Sequence, residues 1–451
     1  MKMRISRMMS LVLVAVMVFM LAACSGGGGS EPQPQPSEAA TSESSAPAAE
    51  GENAEPVVIN FPTSWVGAHP YAPYLEAELQ RFTELYNGEI VVNVEEMPDD
   101  GAMEEKIRVL IAANDFPDVC VTNQITTVEL AEKAGLVIDF KPIIEADSEW
   151  AAEMDSNLND FWSTDGQTWP GVCSHVDSLS YFYNKELFAQ AGLEGPAKTW
   201  DEFFEQCDAL KAAGVTPVAM GTTGGGFSTS LWFVALFGTS NDAGNLFANT
   251  KNASTYETPE VLQAAADLKR LLTEYTTKDA VGTDYTGATN NFYASNAAML
   301  ATGIWMAADI DDPNKAPADL RDKLGVAMFP NDGVIEGAGY AMMGSAKDES
   351  KIDAITKFVK FFNDKGGQEA KLEQLSLIPV STTIDVEQFE LDPLLKEIIE
   401  NKNNAKYKMF NVGTIYTAAV SAIASQEYSA LALTSTPEEF CASLTKAAQE
   451  E

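Results

Sequence analysis

The chain has 451 residues, 45% of them apolar, and its 66 acidic side chains outnumber 29 basic ones to give a formal net charge of −37. Phosphate recognition needs clustered Lys and Arg, so this balance argues against nucleic-acid binding. A neutral or cationic small ligand remains compatible with it. Because single hydrophobic cores stop growing near about 250–300 residues, the length predicts two lobes.

Residues 1–23 have the three regions of an export signal peptide. Basic side chains precede an apolar run over residues 11–23, which ends in small residues. The run is shorter than the roughly 20 residues that span a bilayer. The small residues before Cys24 resemble a bacterial lipobox, so we expect cleavage there and lipidation of the Cys24 thiol. The alternatives are a membrane anchor helix and an ordinary signal peptide with a chance cysteine.

Residues 24–56 predict a disordered tether. This segment is rich in Gly, Ser, Pro, Ala and Glu and has almost no large apolar side chain. It therefore cannot bury enough surface to offset the entropy of ordering. Such a spacer would hold a folded domain away from a membrane and leave it free to reach a partner there.

From residue 57 onward, strand and helix patterns alternate along the chain. The segments, in order, are a strand at 57–61, a helix at 74–86, a strand at 89–94, a helix at 103–113 and a strand at 118–122. The same alternation resumes with strands at 179–183 and 215–220. Thr199, Thr258 and Thr436 each carry a helix-start pattern. The alternation predicts parallel α/β layers.

Motifs for catalysis and metal binding are weak. The two histidines, His69 and His175, do not form a metal-binding pattern. The Ser-x-x-Lys at 443–446 lacks the companion elements of penicillin-interacting serine enzymes. Carboxylates are numerous enough to leave a glycosidase pair open, but no local motif supports one. We therefore predict no catalytic residue, metal site or cofactor.

The cysteines other than Cys24 are scattered without metal-like spacing. They lie in apolar or amphipathic segments, which favours buried free thiols, although an exported location permits a disulfide. These residues are Cys120, Cys173, Cys207 and Cys441.

Two predicted strand ends carry side chains suited to a ligand. Trp65 lies just past the first strand, and Asn123 and Gln124 follow the strand at 118–122. Open α/β sheets bind ligands outside the carboxyl ends of their strands, where an indole face can stack and amides can bond hydroxyls. A core position for Trp65 and turn capping by the amides are the alternatives.

Several segments together resemble the extracellular solute-binding proteins, family 1, which serve ABC importers for sugars. Residues 180–193 (SYFYNKELFAQAGL) and 198–203 (KTWDEF) are similar to the family's Tyr-Asn-Lys-x-Leu-Phe and Thr-Trp-x-Glu signature. Residues 292–305 (FYASNAAMLATGIW) are similar to its Ala-Ala-Met-x-x-x-Gly-x-Trp segment. The resemblance extends from about residue 57 to the C-terminus.

The resemblance implies a two-lobed α/β fold of the periplasmic-binding-protein type, with discontinuous lobes joined by three crossing segments. It places residues 57–175 plus 338–377 in the N-terminal lobe and 176–337 plus 378–451 in the C-terminal lobe. We expect the crossings near residues 173–177, 336–340 and 376–381. Ligand would be clamped between the lobes by a hinge motion.

The resemblance also assigns candidate ligand-binding residues. Asp177, just ahead of the Tyr-Asn-Lys signature, would accept hydrogen bonds from sugar hydroxyls. Trp305, at the Gly-x-Trp position, would stack under the ligand. Trp232 and Tyr340 would form aromatic walls, and Asp309 would add an acceptor one helical turn past Trp305.

The expected protein is a lipid-anchored, monomeric, non-enzymatic receptor on the outer face of the plasma membrane of a Gram-positive bacterium. It would capture a mono- or oligosaccharide and deliver it to the permease subunits of an ABC importer. The alternatives are the same fold with a cationic or peptide-like solute, and a surface glycosidase.

Overall fold

A computed structural model describes residues 55–450 apart from residues 68 and 165. The predicted signal peptide, Cys24 and nearly all of the predicted tether therefore lie outside the described residues. Among the described residues, no helix combines the length and the apolar character that a membrane crossing requires.

The strands of the described chain are numbered in order. They are β1 Val57–Thr63, β2 Ile90–Glu96, β3 Val119–Thr122, β4 Val172–Cys173, β5 Val176–Asn184, β6 Thr216–Val218, β7 Ala297–Gly303, β8 Leu324–Ala327, β9 Gly333–Ala338, β10 Ala341–Gly344 and β11 Tyr407–Phe410.

The α-helices of the described chain are numbered in the same way. They are α1 Ala72–Leu85, α2 Asp100–Ala112, α3 Ile125–Lys133, α4 Lys141–Ala146, α5 Ser148–Ala152, α6 Ser156–Trp162, α7 Lys185–Gln190, α8 Trp200–Ala212, α9 Phe227–Gly238, α10 Asp242–Ala248, α11 Pro259–Arg270, α12 Tyr285–Tyr293, α13 Met306–Asp309, α14 Leu320–Lys323, α15 Ile352–Asn363, α16 Lys365–Leu375, α17 Pro393–Asn404, α18 Val412–Ile415, α19 Ala418–Leu433 and α20 Pro437–Gln449. A π-turn at Leu271–Tyr275 and short 3₁₀ segments at Gly224–Gly226, Glu349–Lys351 and Val386–Gln388 complete the set.

The strands form three sheets. β1 and β2 make a parallel pair, β10 lies between β3 and β4, and a six-stranded sheet has the order β11-β9-β5-β7-β6 with β8 also paired to β5. We call the part built on the two smaller sheets the first lobe and the part built on the six-stranded sheet the second lobe. The α/β class is confirmed, but the expectation of parallel layers is wrong for part of each lobe. In the first lobe β10 is antiparallel to β3 and β4, and the second lobe is mixed as well. There β5 is antiparallel to β7, β8 and β9.

Three crossing segments connect the lobes and lie side by side. β4 continues through Ser174 into β5, and β9 continues through Tyr340 into β10. The Ser174 N–H donates to the Tyr340 carbonyl at 2.9 Å, and the Val176 N–H donates to the Ile378 carbonyl at 2.8 Å. The predicted two-lobed fold with three crossings is thereby confirmed, whereas the outer limits of each lobe stay a prediction.

The helix starts predicted from sequence are present. Thr199, Thr258 and Thr436 each accept a hydrogen bond from a backbone N–H of the first turn. A complete capping box forms at Thr436, where the Glu439 side chain bonds back to the Thr436 N–H. At Thr199 the matching Glu202 carboxylate instead accepts a hydrogen bond from the Lys198 N–H at 2.8 Å.

The four cysteines of the described chain are buried free thiols. Their burial raises the pKa of each thiol, to about 12 for Cys173 and Cys441. At neutral pH these groups are therefore protonated and pack as small apolar side chains.

A buried lysine supports the first crossing. The Lys371 ammonium, on α16, donates to the Ser174 carbonyl at 2.6 Å and to Asn363 Oδ1 at 3.0 Å. Burial lowers the pKa of Lys371 from 10.5 to about 7. An ammonium removed from water is costly, so the hydrogen bonds to the crossing segment offset only part of its desolvation.

We predict that this lysine makes the free energy of unfolding rise with pH. Between pH 7 and 9 the folded chain loses the Lys371 proton while the unfolded chain keeps it. Raising the pH therefore removes the advantage that the proton gives to the unfolded state. The contribution amounts to about 2 kcal/mol over this window. Urea unfolding at pH 7, 8 and 9 tests this. The free energy of unfolding of the wild type minus that of Lys371→Met should increase with pH.

The control for this experiment is Lys446→Met, because the Lys446 side chain is 77% exposed. Its difference from the wild type should stay constant over the same pH range. A constant difference for Lys371→Met as well would contradict the prediction.

Candidate functional site

An aromatic cluster of the first lobe surrounds the end of β1. The Trp65 ring lies edge-on to the rings of Tyr71 and Tyr340, with centroid distances of 5.3 and 5.5 Å. Trp65 is 5% exposed, and Thr63 Oγ1 accepts a hydrogen bond from its backbone N–H. The structure thus brings together Trp65 and Tyr340, two residues named from the sequence, with Tyr71 between the lobes.

Three carboxylates influence the Tyr71 hydroxyl. Burial raises the pKa of Tyr71 to about 12, and the charges of Asp177, Asp100 and Asp309 add to the rise. Asp100 begins α2 in the first lobe, Asp177 lies on β5 directly after the crossing, and Asp309 ends α13 in the second lobe. Tyr71 also packs against the hydrophobic cores of both lobes. Carboxylates of both lobes therefore act on one side chain that packs against both lobes.

His175 connects the crossing to the Asp177 carboxylate. The His175 ring is 4% exposed, with Nε2 at 3.3 Å from Asp177 Oδ1 and Nδ1 at 2.7 Å from Ser174 Oγ. The ring lies against Gly339, where an added Cβ would be 2.3 Å from its Cε1 and Nε2 atoms. A side chain at position 339 would displace the imidazole, so the two crossing segments jointly hold the orientation of Asp177.

Trp305 provides the aromatic surface of the second lobe. Its Nε1 donates to the Tyr285 hydroxyl at 2.8 Å, and that hydroxyl is 2.6 Å from Thr302 Oγ1. The Phe227 ring lies at 5.9 Å from the Trp305 ring and 5.5 Å from the Tyr285 ring. These contacts fix the indole in one orientation while part of it stays exposed.

Asp309 lies one helical turn after Trp305, as the sequence predicted. Its N–H donates to the Trp305 carbonyl at 3.0 Å, and its Oδ1 is 2.5 Å from the Lys315 ammonium. A ligand hydroxyl would therefore share this carboxylate with Lys315.

Asn123 and Gln124 lie at the end of β3, as predicted, and both are exposed. The Gln124 amide donates to Asn123 Oδ1 at 2.7 Å, and the Gln124 side chain makes no capping bond to α3. The preceding Thr122 hydroxyl bonds Glu104, whose other oxygen accepts from Thr127 at 3.0 Å. Burial raises the pKa of Glu104. Thr122 thus belongs to a buried polar pair below the strand end.

Trp232 does not belong to the site, so the expectation that it forms an aromatic wall is wrong. Its side chain is 0% exposed and lies in the core of the second lobe. The surrounding rings of Tyr181, Phe203 and Phe329 have centroids 5.3, 5.1 and 5.4 Å away. Because α9 is buried on every face from residue 228 to residue 238, this tryptophan has no surface to offer a ligand.

Sequence reasoning missed Tyr71, Asp100 and Tyr285. Asp100 follows β2 after a short turn, so the strand-end rule that identified Trp65 could also have identified it. Tyr71 and Tyr285 precede or begin helices and carry no local signal, because their positions in the site depend on how the lobes approach each other.

In the part of the chain that the structure describes, no group of three or more His, Cys, Asp or Glu side chains is placed to hold a metal ion. Cavities are present at the surface of the second lobe, including one of about 630 Å³ lined by Trp200, Phe204 and Arg270. The residues that line this cavity are different from the aromatic and carboxylate groups described above.

A sequence model of the bacterial extracellular solute-binding proteins matches residues 68–369. This match covers well over half of the chain, and the chain therefore belongs to that family.

Solved structures agree on the fold. A chitin oligosaccharide binding protein is 24% identical and superposes with a TM-score of 0.72 over 88% of this chain and 99% of its own. A Streptococcus pneumoniae solute-binding protein in complex with the blood group A-trisaccharide is 19% identical, with a TM-score of 0.71 over 87% of this chain and 100% of its own.

Curated relatives match more narrowly. A Brucella abortus protein named only as a binding protein is 25% identical over 272 residues, 57% of this chain and 60% of its own length. The sn-glycerol-3-phosphate-binding periplasmic protein of Salmonella typhimurium is 29% identical over 220 residues, 45% of this chain and 46% of its own. The chain thus matches about half to three-fifths of the length of these relatives.

We predict that Gly303→Ala displaces the Trp305 ring. A Cβ at position 303 would lie 2.2 Å from Cζ3 of Trp305, so the indole must move and its bond to Tyr285 must weaken. In ¹⁵N spectra of tryptophan-labelled protein, the Trp305 indole N–H should shift clearly. Gly413→Ala, where an added Cβ meets nothing within 4 Å, should leave it unchanged. An unmoved indole signal in Gly303→Ala would contradict the described orientation.

Proposed function

We propose that this protein is an extracellular receptor that captures a mono- or oligosaccharide and delivers it to an ABC importer. The observation that carries the proposal is the position of Tyr71, which contacts the Trp65 ring, packs against both lobes and is influenced by carboxylates of both. Sugar rings present apolar C–H faces and hydroxyl edges. The first suit the exposed part of the Trp305 ring and the Tyr71 ring that Trp65 supports from the core. The second suit the carboxylates of Asp177 and Asp309.

The relatives support a carbohydrate more than an anion. Both solved structures cited above bind, by their names, an oligosaccharide or a trisaccharide. The Salmonella relative binds, by its name, a phosphorylated glycerol. In this chain the charges that act on Tyr71 are those of Asp100, Asp177 and Asp309. Three carboxylates repel an anionic solute and accept hydrogen bonds from a neutral one, so we favour a neutral sugar.

We propose hinge closure as the mechanism, with binding and release and no bond cleavage. A ligand that contacts both lobes would bind the closed conformation more tightly than the open one. The difference between the two binding free energies sets how far it shifts the lobes toward closure. The permease would then recognise the closed, loaded receptor.

The same carboxylates favour a cationic solute as the second candidate. An ammonium group would gain charge-assisted bonds to Asp177 and Asp309, where a sugar hydroxyl gains weaker ones. The ligand panel described below separates these two solute classes.

We further propose that diacylglycerol on Cys24 anchors a monomeric receptor at the outer face of the plasma membrane of a Gram-positive bacterium. The composition of residues 11–30 supports an export signal followed by a lipidated cysteine. Residues 24–56 would serve as the tether between the lipid and the folded lobes.

Isothermal titration calorimetry tests the site. The full chain is titrated with neutral mono- and oligosaccharides, with polyamines and with short peptides. We expect a sugar to bind and both Trp65→Ala and Trp305→Ala to weaken binding at least about tenfold, which is about 1.4 kcal/mol. Trp305→Ala removes an aromatic face, and Trp65→Ala removes the ring that supports Tyr71 and Tyr340.

Trp232→Phe is the matched control, since it changes a tryptophan of the core. It should lower the free energy of unfolding by about 1–2 kcal/mol and leave the affinity unchanged. Binding of polyamines alone would favour the cationic candidate. Equal losses in all three variants would show that the aromatic cluster is not the site, and release of a cleaved product would favour a glycosidase.

A separate experiment tests the anchor. In a Gram-positive host fed with labelled palmitate, the wild type should carry the label and sediment with membranes, whereas Cys24→Ser should lose the label and enter the medium. Cys120→Ser, which changes a buried thiol, should behave as the wild type. Membrane association of Cys24→Ser would contradict the lipid anchor and favour an uncleaved membrane helix.

A further inference from the structure

Lys251 belongs to the second lobe. It follows α10, and the next turn is held to the same lobe, because the Ala253 N–H donates to the Ile415 carbonyl at 2.9 Å. Its side chain is half-buried. A lysine in such a position normally extends its ammonium to solvent, but here the ammonium turns toward the other lobe.

The Lys251 ammonium reaches the end of α6 in the first lobe. It donates to the backbone carbonyls of Asp160 at 2.7 Å and Phe161 at 3.1 Å. α6 is fixed to the first lobe, since Asn159 Oδ1 accepts from the Cys173 N–H on β4 at 2.9 Å. These carbonyls carry the negative end of the helix dipole, so a cation there is favourable.

The surroundings of the contact fit a charged ammonium. Burial lowers the pKa of Lys251, while the charges of Asp160 and of the α3 carboxylates Glu129 and Glu132 raise it. The ammonium also lies 5.8 Å from the centre of the Phe161 ring. Acidic and aromatic groups of the first lobe therefore face a cation of the second.

Ring packing extends the same contact. Phe161 of α6 lies 6.1 Å from Phe410 of β11, which belongs to the second lobe. Leu158, also on α6, packs against a hydrophobic cluster of the first lobe and against one of the second lobe. The Lys251 bonds thus form one edge of a surface where the lobes touch, and this surface adjoins the crossing strands, because α6 also lies against β4 and β9.

We infer that Lys251 is a latch between the lobes, which stabilises the conformation in which α6 and the second lobe touch. A hinge rotation about the crossings moves all points off its axis, and hydrogen bonds of 2.7 and 3.1 Å do not survive shifts of several ångström. In this same conformation Tyr71 contacts both lobes. The latch therefore favours the arrangement in which Tyr71 packs against both lobes.

Distance measurement by electron spin resonance tests the latch without any ligand. Spin-labelled unnatural amino acids replace Leu85 in the first lobe and Leu433 in the second, which are 58% and 69% exposed. In the full chain, Lys251→Met should shift the distance distribution, reducing the population at the wild-type distance about three- to tenfold relative to the separated one. Lys251→Arg, which keeps the cation, should retain most of that population.

Lys269→Met is the matched control. The Lys269 ammonium also donates to a backbone carbonyl, that of Ser435 at 2.7 Å, but both residues lie in the second lobe. This variant should leave the distance distribution unchanged. Identical distributions for Lys251→Met, Lys269→Met and the wild type would overturn the inference. Because no solute is added, this outcome is independent of whether the proposed sugar binds.

Discussion

The structure depends on the hydrogen bonding of the three crossing segments to one another. Ser174 bonds Tyr340, and Val176 bonds Ile378, at the place where each chain segment leaves one lobe for the other. The same segments carry Tyr340 and Asp177 into the candidate site. Hinge and site therefore share one stretch of backbone, so a change in lobe orientation necessarily changes the spacing of groups that face a solute.

Buried polar groups make this junction specific. Lys371 donates to Ser174 from one side, and His175 lies between Ser174, Asp177 and Gly339 on the other. Burying an ammonium and an imidazole contributes little net stability, because the free-energy cost of desolvation offsets most of the gain from their hydrogen bonds. Their effect is geometric: each bond is satisfied in one arrangement of the crossings, which restricts the path along which the lobes can turn.

Local sequence patterns predicted the helix starts, which depend on contacts within one helical turn. Thr258 and Thr436 begin helices because an N-cap hydroxyl and a proline act within one turn. Trp232 was misplaced by resemblance to relatives, although the unbroken apolar run of α9 already indicated a core helix. Tyr71 could not be found, since its neighbours Asp100 and Asp309 come from different lobes. Such a site exists only after the crossings have set the lobe orientation.

In the proposed hinge mechanism, two electrostatic contributions act on closure in opposite directions. Bringing Asp100, Asp177 and Asp309 toward Tyr71 places like charges within a low-dielectric space, which disfavours the closed lobes when the site holds no solute. The inferred Lys251 latch attracts the end of α6 and favours closure. A solute that donates hydrogen bonds to the carboxylates reduces the repulsion among them and leaves the attraction between Lys251 and α6 unchanged. In that mechanism closure is therefore most favourable when the site is filled.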